Sequence, residues 1–80
     1  MNSFREIVER VKDEISAEVD GIVKDVHVGN ALGLTTNTVR IYKTKDYIPY
    51  DNVINFCIRY KLSVDWMLFG DYKDKNIYSQ

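Results

Sequence analysis

The apolar residues of this chain recur mostly at helical spacing. Phe4, Ile7, Val8, Val11 and Ile15 come every three or four positions, with Arg5, Glu6, Glu9, Arg10, Lys12, Asp13 and Glu14 between them. That period predicts an amphipathic first helix over 3–18. Ser3 and Glu6 have the spacing of a capping box at its start. Asp20-Gly21 is a turn signal, with glycine free to take positive φ after a helix end. The charged side of the helix reads as a solvated face.

From Ile22 to Val28 the pattern is ambiguous. I-V-K-D-V-H-V alternates as a strand would, and it is rich in β-branched residues. Val28, Ala31 and Leu32 nonetheless continue a helical period, and no second strand of similar quality follows. A second helix over 24–32 is the preferred reading.

Leu32-Gly33-Leu34-Thr35 reads as a tight corner. Gly33 can adopt left-handed angles at low cost, Leu34 plugs the core behind the corner, and Thr35 is a good N-cap. Gly29, four residues before Gly33, lets two backbones approach closely. A third helix is expected over 36–44. At 100° per residue Val39 and Tyr42 share one side, while Asn37, Arg40, Ile41 and Thr44 share the other, with Thr36 and Lys43 on the flank. Asparagine and arginine make bidentate contacts to adenine and guanine edges, and a branched apolar group suits a thymine methyl.

Lys45 to Pro49 reads as a connecting loop, and Pro49 sets the start of a fourth helix over 50–61. Val53, Ile54, Phe56, Cys57 and Tyr60 form its buried stripe, with Cys57 a small core residue. Leu62 closes the next corner. Ser63 caps a short fifth helix, S-V-D-W-M-L-F, with Asp65 in its first turn, and Gly70 ends it. The domain is expected to occupy 1–70, with 71–80 a polar tail that serves as a linker or dimer contact.

Composition narrows the function classes. Eighty residues make one small domain, and the longest apolar run, W-M-L-F at 66–69, is far short of the ~20 residues that cross a bilayer. The N-terminus has no apolar secretory core. One cysteine allows no intrachain disulfide, which points to a reducing cytoplasm. One Cys and one His cannot supply the ligands of a structural zinc site. No metal or cofactor is expected.

The net charge is −1, but its distribution is uneven. Residues 1–31 carry four basic against seven acidic residues, and 32–62 carry five basic against two acidic. The basic segment contains the third helix, so a polyanion could meet that side while the acidic helix points away.

Two helices joined at a glycine corner form a helix-turn-helix. Val28, Gly29, Leu32, Gly33, Leu34, Val39 and Tyr42 meet its packing needs together. The stretch L-G-L-T-T-N-T-V-R-I-Y-K, followed by I-P-Y-D-N-V-I-N-F-C-I-R-Y-K-L-S-V-D-W-M-L-F-G, resembles the DNA-binding domain of phage CI-type repressors, within the lambda-repressor-like family. The I-P-Y start and S-V-D-W finish of the second stretch are its more distinctive part. The resemblance covers about residues 22–70.

It implies an all-α fold of four to five helices and binding to a double-stranded DNA operator as a homodimer, usually to repress transcription. It implies base reading by Thr36, Asn37, Arg40 and Ile41. Phosphate contacts fall to Thr35, Lys43, Thr44, Lys45 and Tyr47. Two features depart from the pattern. Asp25, at the start of the second helix, would repel phosphate. The ten residues after Gly70 are not an oligomerisation domain, so Met67, Phe69, Tyr78 and the tail are the candidate dimer contacts.

His27 has three readings: a solvent-facing side chain, a phosphate contact, or a pH sensor. Enzyme chemistry has no support, for there is no glycine-rich phosphate loop. The competing function is a protein-interaction module on the same fold, an antirepressor or adaptor, favoured by the acidic total charge.

Overall fold

The computed structural model describes residues 3–70. Among the described residues the chain forms five α-helices and no strand. They are α1 (Phe4–Ile15), α2 (Asp25–Leu32), α3 (Thr36–Lys45), α4 (Tyr50–Tyr60) and α5 (Val64–Phe69), and a 3-10 turn, Ser16–Glu18, follows α1. The strand-like alternation after Gly21 resolves as extended backbone at Lys24 leading into α2. The tail, 71–80, and Tyr78 with it, lie outside the described residues.

The first helix forms as its periodicity predicts. Ser3 Oγ accepts from the Glu6 N–H, and Glu6 Oε1 accepts from the Ser3 N–H at 2.9 Å, closing the capping box. Phe4, Ile7, Val8, Val11 and Ile15 are all buried. The α-helix is shorter than 3–18 because the backbone tightens into the 3-10 turn after Ile15.

A single core joins the helices. Val28 and Leu32 of α2, Val39 of α3, Val53, Phe56 and Cys57 of α4, Leu62, and Met67 of α5 pack with the buried stripe of α1. Each residue removed from water contributes roughly 1.5–3 kcal/mol for a side chain of this size. Ile54 is only half-buried, and Ile58 is 61% exposed.

Met67 corrects one expectation. Its side chain is 0% exposed and lies in the core, so it offers no surface to a second subunit. With Ser63 as N-cap, the six-residue α5 turns Met67 inward and leaves Phe69 46% exposed.

Polar clamps fix the edges. Arg10 donates to the Met67 carbonyl at 2.9 Å, tying α1 to α5. The Asn52 amide donates to the Leu32 carbonyl at 2.7 Å, and Arg59 donates to the Ala31 carbonyl, so α4 satisfies two carbonyls at the end of α2. The Tyr60 hydroxyl reaches Glu18, and its ring stacks on Phe56 with centroids 4.3 Å apart.

Candidate nucleic-acid interface

The corner between α2 and α3 is built around backbone contacts. Gly33 has φ +73° and its N–H donates to the Gly29 carbonyl. The Leu34 N–H donates to the same carbonyl at 2.8 Å. An added Cβ on Gly29 would lie 2.6 Å from the Leu34 oxygen. Gly29 therefore admits the backbone of the corner itself, while Gly33 supplies the left-handed turn. Leu34 is half-buried against the core.

Thr35 starts α3. Its hydroxyl accepts from the Thr38 N–H at 3.1 Å and lies 2.8 Å from the Thr38 hydroxyl. This places the phosphate candidate Thr35 in a capping role. The last turn of α3 closes on Asp46, a left-handed residue with φ +56°, whose carboxylate accepts from the Phe4 N–H at 2.8 Å. Tyr42 packs edge-on to Phe4 and lies 4.6 Å, centroid to centroid, from Tyr47. Both ends of α3 are thus anchored, and Val39 is fully buried beneath its middle.

The outer face of α3 is open. Asn37, Arg40, Ile41 and Thr44 are exposed, and Thr36 is half-buried. Arg40, Ile41, Thr44 and Lys45 line one shallow depression. Arg40 and Lys45 form no ion pair among the described residues. Tyr47 is 54% exposed beside the C-terminal end of α3. The four base-reading candidates thus share one helix, with Lys45 and Tyr47 at its far end.

Lys43 is placed differently. Its ammonium lies 3.0 and 3.1 Å from the two carboxylate oxygens of Asp25, and both side chains are under one-fifth exposed. Lys12 adds a second cation 3.8 Å from Asp25. The residue expected to repel phosphate and a residue expected to bind it are paired with each other. The sequence held only part of this, the place of each residue beside the shared stripe, and not the pairing itself. Asp25 lies one turn before buried Val28, and Lys43 one turn after buried Val39, so both flank the stripe that α2 and α3 share.

His27 also has a local role. Its Nδ1 accepts from the Lys24 N–H at 2.9 Å. The lysine ammonium has no acceptor to return, so only one half of a capping box forms. His27 sits three residues into α2, where the spacing of such a cap could have shown it.

Among the described residues there is no group of His, Cys, Asp and Glu able to hold a metal ion, and no helix is long and apolar enough to cross a membrane. No family model, curated protein or solved structure matches the chain.

Proposed function

We propose that this chain is a sequence-specific double-stranded DNA-binding domain of the lambda-repressor-like kind, acting as a dimeric transcriptional repressor. The carrying observation is the outer face of α3. Asn37, Arg40 and Ile41 stand exposed together on a helix held at both ends and backed by Val39.

That face has the chemistry of direct readout. Asn37 presents a donor beside an acceptor and Arg40 paired donors to base edges, and Ile41 an apolar surface to a thymine methyl. Lys45, Thr44 and Tyr47 would set register on phosphates, which position a protein without specifying sequence. Two copies would span half-sites about one helical turn apart, roughly 34 Å. Phe69 is the described apolar residue of α5 available to a dimer contact.

One observation favours the competing reading of a protein-interaction module. With Lys43 held by Asp25, few unpaired cations remain near α3, and an interface releasing few counterions has a shallow salt dependence. Anisotropy titration against mixed genomic fragments at two salt concentrations separates the two. The DNA reading expects binding that weakens as salt rises. Failure to bind any DNA at low salt would favour the adaptor.

A further inference from the structure

The pair between Asp25 and Lys43 has a consequence for how strongly the α3 face holds DNA. We propose that Asp25 is an affinity-limiting residue, which withholds the Lys43 ammonium from phosphate and lowers the sequence-independent part of binding. This rests on the DNA reading of the same face.

The geometry argues against a purely structural strut. The α2–α3 corner is already fixed by the left-handed Gly33, by the Leu34 N–H on the Gly29 carbonyl, by the Thr35 cap and by the burial of Val28, Leu32 and Val39. The ion pair is not needed to set the angle between the helices. Lys43 lies on the flank of α3, next to exposed Thr44 and three residues after exposed Arg40. Its four-carbon stem is flexible, and its ammonium is a compact, movable charge. A phosphate at the edge of this face competes for it with Asp25.

Lys12 makes that competition possible. It stands 3.8 Å from Asp25 and 3.7 Å from Glu9. When Lys43 leaves, Asp25 keeps a cation beside it and is not stranded as a partly buried bare charge, which would be costly. The pair therefore opposes phosphate binding without forbidding it. Because phosphate contacts carry no sequence information, the brake acts equally on every DNA sequence. A larger share of binding then rests on Asn37, Arg40 and Ile41.

The test is a double-mutant cycle read by fluorescence anisotropy. It uses the whole chain as wild type, Asp25→Asn, Lys43→Ala and the double variant. Each is titrated with a duplex selected by the protein and with a scrambled duplex, at about 50 and about 200 mM salt. Asp25→Asn is expected to tighten binding to both duplexes by roughly 3- to 10-fold at the lower salt. The salt slope should steepen by about 0.9, the value of one more phosphate contact. In the Lys43→Ala background the gain should vanish.

No gain from Asp25→Asn, or the same gain with Lys43 absent, overturns the proposal; the latter would mean through-space repulsion alone. Circular dichroism controls for folding, with Asp25→Ser as second variant. If both Asp25 variants unfold, the pair is a structural strut and the proposal falls. If wild type selects a duplex but Asp25→Asn gains nothing, only this proposal fails. If no variant binds DNA at low salt, the DNA reading fails with it.

Discussion

A Cβ on Gly29 would stand 2.6 Å from the carbonyl oxygen of Leu34, inside any tolerable contact, and the obstacle is backbone. The Leu34 N–H is bonded to the Gly29 carbonyl at 2.8 Å, so the corner cannot withdraw without losing that bond. Gly29→Ala is therefore expected to destabilise the domain. Alanine gains roughly 1 kcal/mol of helix propensity, but overpacking of about 1–3 kcal/mol and the strained hydrogen bond outweigh it. Urea denaturation should show a lower midpoint. An unchanged or raised midpoint would mean the corner opens freely.

The short α5 divides its large side chains between core and surface. Met67→Ala should cost roughly 2–5 kcal/mol, as for other buried large-to-small changes. Phe69→Ser should cost the monomer less, about 1 kcal/mol, because nearly half of its side chain is already in water. If Phe69 contributes to a dimer, its replacement also shifts the monomer–dimer equilibrium in sedimentation toward monomer, while the melting of dilute protein falls less than for Met67→Ala. Equal loss of stability in both variants would contradict the burial assignment.

Much of the fold was legible because local signals agreed with each other. Ser3 with Glu6, Gly33 in the corner, and Thr35 and Ser63 as caps each act within a few residues, and the structure places them as read. The stripe of α1 was equally plain. Where signals conflicted, the outcome needed tertiary contacts. The alternation from Ile22 had no partner strand, and helix won because Val28 and Leu32 enter the core. Six residues of α5 make too short a period to tell Met67 from Phe69. Of the proposed interface, the outward grouping of Asn37, Arg40 and Ile41 followed from helical geometry. The bond of Lys43 to Asp25 did not, since it joins residues 18 apart in sequence.

Cys57 gives a prediction in pH. Burial pushes its thiol from an ordinary 9.0 up to about 11, and Tyr60 is raised too, by burial first and then by its bond to Glu18. A raised folded pKa means the native state keeps its proton after the unfolded chain has lost it. The contribution is thus fully present below pH 9.0 and is lost as pH rises towards 11. Stability should fall by about 2 kcal/mol across that window for the thiol alone. At neutral pH, native protein should resist thiol reagents and react only on unfolding. Rapid labelling of folded protein would contradict this.

The proposed role of α3 as a reader of base edges is tested most directly by selecting duplexes from a random DNA pool with wild type and with Asn37→Ala. The wild-type pool should converge on a pseudo-palindrome. Asn37→Ala should relax the preference at one position in each half-site, a loss of roughly 1–3 kcal/mol of discrimination, while binding to scrambled DNA stays unchanged. Identical motifs from the two proteins, or no enrichment at all, would contradict base reading by this helix.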